Sequence, residues 1–351
     1  MPVDDSSIVR RMVKTALDRS EDCEVVYSAA NGQDAIRNIE TTRPEVLVVD
    51  VQMPAMDGIE TIKAARSIDP NIRFLMFSSL TASGTKATLA ALEAGADDFL
   101  EKPQNAVSTE AVFEILRTQL VPKVVALGRT ERNDSSEIQS RDRKSSLSGL
   151  CPEIIGIGAS TGGPRALSQL ISNLDSDFCI PILIVQHMPP VFTELFAEQL
   201  DKVSSLSVRE ALPGDIVSPG NIWVARGNRH LKLEHDGLKT RLKLTVAPGD
   251  AISRPSVDVF FRSLAETYGN KCLSVVMTGM GKDGLIGARE IVEKGGTVLA
   301  QDEASSSVWG MPRAVYEAEL ADGTLSIDEL AATLNLASAN RRSSMRKEVS
   351  S

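Results

Sequence analysis

The chain has 351 residues, 42% hydrophobic and 24% charged, with a formal net charge of -9 at pH 7. That length accommodates two cores, and the composition excludes disordered and fibrous classes. The acidic balance argues against a nucleic-acid surface. No apolar run approaches the roughly 18 residues of a membrane helix and no leader pattern opens the chain, so it reads as cytoplasmic, without membrane insertion. Cys23, Cys151, Cys179 and Cys272 are scattered without metal-ligand spacing and read as reduced thiols.

From Ser7 to about Thr118, amphipathic helices alternate with short apolar strands: VVYSA at 25–29, VLVVDV at 46–51, RFLMFSS at 73–79 and DDFL at 97–100. That alternation predicts a parallel sheet covered on both faces. Asp4 and Asp5 follow a first strand and Asp50 ends VLVVD, which puts three carboxylates at one edge of the sheet. Such a cluster calls for a divalent cation, and Mg²⁺ with few carboxylates and retained water fits. One carboxylate then serves as a nucleophile towards phosphorus. Lys102, just past DDFL, can reach phosphoryl oxygens, and Ser78 offers a hydroxyl at the neighbouring strand end.

These residues resemble a response-regulator receiver domain: VDDS at 3–6, VVDVQMPAMDG at 48–58, MFSS at 76–79 and EKP at 101–103. The resemblance implies a flavodoxin-like fold with Asp50 as phosphoacceptor. It implies Asp4, Asp5, Asp50 and the backbone carbonyl of Gln52 as Mg²⁺ ligands, and Ser78, Phe99 and Lys102 as the switch and phosphate-contacting residues. The phosphodonor it implies is a histidine kinase. Receivers place about five apolar residues before the acidic pair, whereas only Met1, Pro2 and Val3 stand here. A native reading frame that starts upstream is the expectation.

Residues 129–149 carry only Ile138 and Leu147 as apolar side chains and no aromatic, so they cannot build a core. The expected organisation is a receiver domain at 1–120, a linker at 121–150, a catalytic domain at 151–340 and a disordered tail at 341–351. The basic residues Arg341, Arg342, Arg346 and Lys347 then belong to a frayed terminus.

The second domain is organised around IIGIGASTGGP at 154–164, where a buried strand stops in small residues around Ser160. A strand running through such a turn into a helix sits at the carboxyl edge of an α/β sheet, where ligands bind. The glycines admit three readings: a tight connection, a phosphate or dinucleotide cradle, or the setting of a nucleophile. The cradle is weakened because Thr161 stands where a third glycine is needed and no lysine follows. His187 ends the apolar strand PILIVQ and emerges at the same edge, so general-base activation of Ser160 is geometrically open. His230 and His235 fall in a polar hairpin and read as solvated. Asp283, Asp302 and, more weakly, Asp258 compete to orient His187. Glycines 279, 281 and 284 around Asp283 bring backbone N–H groups that suit an oxyanion site, which favours Asp283.

GASTGG at 158–163, VQHMP at 185–189, ISRPSVDVFF at 252–261, TGMGKDG at 278–284 and WGMPRAV at 309–315 resemble the catalytic domain of the chemotaxis protein-glutamate methylesterases, the CheB family. The family's triad falls on Ser160, His187 and Asp283, with Thr161 and Met280 on the oxyanion and substrate side. The implied activity is hydrolysis of glutamate γ-methyl esters on methyl-accepting chemotaxis receptors, with deamidation of receptor glutamines and no cofactor for the esterase step. The implied control is a receiver that blocks the cleft until Asp50 is phosphorylated, and the phosphodonor is then a chemotaxis histidine kinase. The fold class is α/β: the receiver plus a second doubly wound, mostly parallel domain with an antiparallel hairpin.

Two rivals are a receiver-linked nicotinamide oxidoreductase and a DNA-binding response regulator. The first lacks a ribose-binding acid after its second strand, and Tyr268 and Lys271 are three apart where helix-borne catalysis uses four. The second lacks a compact helix-turn-helix.

Overall fold

The computed structural model describes residues 1–79, 81–103, 108–128, 147–247, 251 and 253–349. Two compact units divide the chain, Met1–Asp134 and Ser135–Ser351.

In the first unit β1 (Pro2–Val3), β2 (Val46–Val49), β3 (Arg73–Ser78) and β4 (Asp98–Glu101) pair in that order, all parallel. Every residue of β2 is buried, as a strand covered on both faces requires. The helices α1 (Ser7–Asp18), α2 (Gly32–Thr42), α3 (Gly58–Ile68) and α4 (Ala82–Glu93) start at side-chain caps from Ser6, Asn31, Asp57 and Thr81. Each strand therefore delivers its carboxyl end to one edge.

The expected strand at 25–29 is not formed. Those residues make only an isolated bridge between Val3 and Ala29. The neighbouring β1 is two residues long and begins in a proline that has no N–H, so it offers little ladder to pair with. The Met1 amino group is buried and donates to Val46 O at 2.7 Å.

The domain boundary expected at 120 also moves. Helix α5 (Thr109–Ile115) continues through a π-helical turn (Leu116–Leu120) into α6 (Val121–Gly128). Leu116, Leu120 and Leu127 are all buried, which ties α6 to the first unit. Pro122 is tolerated because the widened turn before it accommodates the missing donor. Most of the expected linker, 129–146, lies outside the described residues.

The second unit contains β5 (Ile154–Ala159), α7 (Gly163–Ser172), β6 (Ile182–Gln186), α8 (Pro190–Val203), β7 (Ser207–Glu210) and β8 (Asn221–Val224). An antiparallel hairpin follows, β9 (His230–His235) and β10 (Thr240–Thr245). Then come α9 (Val257–Tyr268), β11 (Cys272–Val276), α10 (Leu285–Glu293), β12 (Thr297–Gln301), α11 (Met311–Glu317), β13 (Gly323–Leu325) and α12 (Ile327–Val349). The seven-stranded sheet has the order β13-β12-β11-β5-β6-β8-β7, with every pair parallel. The chain leaves β5 towards β6 and later returns to β5's other side as β11. The order thus reverses beside β5, and the crevice at such a reversal is where α/β sheets bind ligands.

Phe260, Phe261 and Leu264 of α9 pack into a buried core with Ile154, Leu183 and Trp223. Helix α9 lies so close to β5 that a Cβ on Gly156 would sit 2.7 Å from Leu264, and one on Gly158 would sit 2.4 Å from Val257. The strand glycines are therefore explained by helix-on-sheet approach and not by a phosphate cradle.

The tail expected at 341–351 is helical through Val349. Arg341 pairs with Glu153 and Arg342 with Asp177, both at 3.1 Å, while Leu334 and Ala337 one turn and more below are buried. These contacts hold the basic end of α12 on the domain. Among the described residues no helix is long and apolar enough to cross a membrane.

Candidate active site and acidic pocket

Ser160 is the first residue past β5, at the reversal point. Its N–H donates to Thr278 O at 3.0 Å, and its carbonyl accepts from Gly163 N at 2.8 Å. The turn passes through Gly162 at φ 79°, a left-handed conformation that glycine adopts without strain. Gly279 lies against the serine: a Cβ there would stand 2.8 Å from Ser160 Cβ. Ser160 Oγ has no hydrogen-bond partner among the described residues, so it is free for a substrate or a base.

His187 follows β6, and its N–H donates to Ala159 O at 3.1 Å. One ring nitrogen, Nε2, is 2.8 Å from Asp283 Oδ2. That leaves Nδ1 as the nitrogen available for proton transfer. Asp283 is bound on both oxygens. Oδ1 accepts from Ser256 Oγ at 3.0 Å, Asp258 N at 2.9 Å and Gly284 N at 3.1 Å, and Oδ2 accepts from Val257 N at 2.8 Å. Ser256 is the N-cap of α9, so the carboxylate sits on a helix N-terminus. Burial raises its proton affinity, but the His187 bond and charge and the backbone donors outweigh that and hold Asp283 down at about 2. It stays an anion that fixes the imidazole's tautomer.

The competing carboxylates are engaged elsewhere. Asp302 closes its own turn, accepting from Ser305 N at 2.9 Å. Asp258 accepts from Gly284 N and Gly287 N, at 2.9 and 2.8 Å, and has no bond to His187. Met280, next to the Gly279 that lies against Ser160, is 40% exposed, and its N–H has no acceptor among the described residues. Thr161 is buried, and its carbonyl accepts from Thr278 Oγ1 at 2.9 Å. His230 departs from the solvated role expected of it. It is fully buried beneath α9, and its Nδ1 accepts from Ser256 N at 3.2 Å, because this position of β9 faces the helix and not water. Tyr268 and Lys271 serve structure: the phenol donates to Thr240 Oγ1 and the ammonium to Glu153, both at 3.0 Å.

In the first unit the expected acids do meet. One oxygen each of Asp4, Asp5 and Asp50 lies within 4.8 Å of the others. An all-carboxylate set of that span suits a hard cation such as Mg²⁺. Lys102 Nζ bridges Asp4 Oδ2 at 2.8 Å and Asp50 Oδ2 at 2.6 Å. Burial pulls the ammonium's proton affinity down, and the bonds to the two acids more than reverse this. Burial likewise pushes Asp50 up, against the opposing pull of Lys102. Ser78 is buried and its Oγ accepts from Thr88 Oγ1 at 2.7 Å, while Phe99 is buried on β4. Gln52 donates its backbone N–H to Asp50 Oδ1 at 3.4 Å.

Comparison with known proteins gives a family for each unit. Residues 155–334 match the CheB methylesterase family, and residues 1–114 match the response regulator receiver domain family. The chain belongs to the CheB methylesterase family. It is 44% identical over 336 residues to the protein-glutamate methylesterase/protein-glutamine glutaminase of Trichodesmium erythraeum, covering 94% of this chain and 96% of that one. The Nocardioides protein of the same name is 42% identical over 337 residues, covering 93% and 92%. The crystal structure of the Thermotoga maritima CheB methylesterase catalytic domain is 41% identical, with a TM-score of 0.51, and covers 53% of this chain and 98% of that one.

Two elements of this CheB-family site escape a reading of spacing. Gln186 Nε2 donates to Ser160 O at 2.9 Å and to His187 O at 3.3 Å, which ties the two strand ends together. Its signal was a polar residue closing an apolar strand. Ser256 and Asp258 form the bed of Asp283, and their signal was a serine cap before VDVFF.

Proposed function

We propose that this chain is a phosphorylation-controlled protein-glutamate methylesterase and protein-glutamine glutaminase, acting in the cytoplasm on methyl-accepting chemotaxis receptors. The observation that carries the esterase reading is the His187–Asp283 bond of 2.8 Å, made at the same sheet edge that presents Ser160. Family membership supports the substrate class, since relatives at 44% and 42% identity bear those two activity names.

In the reaction Ser160 Oγ attacks the γ-carbonyl carbon while His187 Nδ1 takes its proton. Asp283 holds Nε2–H and stabilises the imidazolium. The N–H of Met280 and the turn at Thr161 face the oxyanion that develops on the carbonyl oxygen. Collapse expels methanol, which leaves with the proton from His187, or ammonia when the substrate is a glutamine. Water then attacks the glutamyl ester of Ser160 by the same proton route and returns the free carboxylate and serine.

In the receiver Asp50 is the phosphoacceptor and a chemotaxis histidine kinase the donor. Asp4, Asp5 and Asp50, with the carbonyl of Gln52, would hold Mg²⁺, whose charge neutralises phosphoryl oxygens when bound. Lys102 contacts the phosphoryl group, and Ser78 and Phe99 respond to it. Phosphorylation raises esterase turnover. The test is methanol release from methylated receptor by the full chain, with and without a phosphodonor. Release by wild type and not by Ser160→Ala is expected; equal release by both refutes the assignment.

A further inference from the structure

The loop that leads into α9 carries a cation that has no counterion among the described residues. Arg254 is half-buried, and its Nε is shut from solvent without a hydrogen-bond partner. Neither Arg254 nor the exposed Arg229 makes an ion pair among the described residues, although the chain carries a net charge of -9. The two arginines share one junction: Asn228 N donates to Arg254 O at 3.1 Å, and Arg229 Nη1 donates to Asn228 O at 2.8 Å.

That junction adjoins the triad from two sides. Two residues beyond Arg254, Ser256 Oγ donates to Asp283. One residue before Asn228, Gly227 lies on the segment that follows His187: a Cβ there would be 2.4 Å from Pro190 N and 2.7 Å from Met188 O. A guanidinium partly withdrawn from water pairs best with a carboxylate, which it binds through two parallel N–H groups. The methyl ester itself is neutral, so this cation is not explained by attraction to the ester.

We propose that Arg254, with Arg229 beside it, binds a side-chain carboxylate that flanks the ester on the substrate protein, and thereby selects which esters are hydrolysed. This rests on the esterase reading above and assigns it a substrate preference: a glutamyl methyl ester set in an acidic segment. Arg254 determines specificity and takes no part in proton transfer.

The test uses the full chain and two helical peptides, each with one glutamate γ-methyl ester, flanked in one by glutamate and in the other by glutamine. p-Nitrophenyl acetate serves as an uncharged control ester. Wild type is expected to prefer the glutamate-flanked peptide. Arg254→Gln raises its KM for that peptide about tenfold, the scale of one charge-assisted hydrogen bond, with kcat within about twofold. The glutamine-flanked peptide and the control ester are unaffected. Arg254→Lys restores part of the preference and Arg229→Gln removes part of it. Equal rates of wild type on the two peptides, zero included, overturn the proposal. So does an equal loss by Arg254→Gln on all three substrates, which marks a structural role beneath Asp283. Weakened inhibition by hydrolysed peptide without any flank preference assigns the arginine to the product carboxylate, against the proposal. Hydrolysis of the control ester by wild type and not by Ser160→Ala checks the esterase reading separately.

Discussion

Asp258 and Asp283 exchange helix caps. Asp283, just before α10, accepts the N–H groups of Val257 and Asp258 at the start of α9, while Asp258 Oδ1 accepts those of Gly284 and Gly287 at the start of α10. Each carboxylate thus satisfies donors that the other's helix leaves open. Burial and the adjacent Asp283 charge push the Asp258 carboxyl up, whereas the His187 contact and its donors hold Asp283 down despite burial. The anion that faces His187 is fixed at its base by two helices, and the imidazole inherits that rigidity.

The exchange predicts opposite tolerance to amides. Asp258 uses only Oδ1 for its two donors, so Asp258→Asn keeps an acceptor there and retains turnover within a fewfold. Asp283 accepts on both oxygens, so in Asp283→Asn the amide N–H₂ must face a donor on one side or the other, and turnover falls by roughly 10³ or more. Circular dichroism must show both variants folded. A harmless Asp283→Asn assigns His187 a different orienter.

The Asp258 shift has a definite sign in pH. A carboxyl raised in the fold is still protonated where the unfolded chain has ionised, so the native state binds more protons in that window. Its contribution therefore grows as pH falls from above the raised value towards the ordinary carboxylate value. Comparing urea midpoints of wild type and Asp258→Asn across that range, wild type is expected to gain on the variant as the solution becomes more acid. A constant difference means that Asp258 ionises normally.

Ser160 and His187 act as one unit in the proposed chemistry. Ser160→Ala and His187→Ala are each expected to lower kcat by roughly 10⁴ or more, and the double variant is hardly worse than either. Losses that multiply would remove the pair from a shared step. Asp302→Asn, whose carboxylate only closes a local turn, leaves kcat unchanged.

Ser160 and His187 were legible because apolar strands end abruptly beside them and topology sends every parallel strand's end to one edge. Asp50, Asp4 and Lys102 were legible for the same reason. The cap exchange was not: it depends on the angle at which α9 and α10 meet, which residue spacing does not encode. His230 was misread because a polar hairpin hides which face a helix covers. The strand at 25–29 has β-branched residues and one aromatic, yet pairing needs a neighbour, and β1 supplies only two residues.

In the receiver, Lys102 pairs with one oxygen of Asp4 and one of Asp50, the proposed phosphoacceptor. Labelling of Asp50 by acetyl phosphate is expected to need Mg²⁺ and to vanish with EDTA or in Asp50→Asn. Lys102→Ala is expected to lose the phosphorylation-dependent rise in methanol release while retaining the basal rate. Full stimulation of that variant would show that the ammonium is a structural counterion alone.

Where the chain carries a free amine at Met1, that amine is buried. Burial pushes that amine down from 8.0 to about 5. Between those values the unfolded chain binds a proton that the fold refuses, so stability rises with pH through this window. It is complete above about pH 8 and lost progressively towards pH 5, an effect on the order of a few kcal/mol. The amine sits on the first strand: it donates to Val46 O, and Val48 N donates to Met1 O at 2.9 Å. Hydrogen exchange of β2 in the full chain, corrected for intrinsic rates, should therefore show weaker protection at pH 5.5 than at pH 8. Five added apolar residues replace the amine by a peptide N–H and lengthen the strand. They are expected to raise protection and to abolish its pH dependence. Unchanged protection in the extended chain would show that the short first strand already suffices.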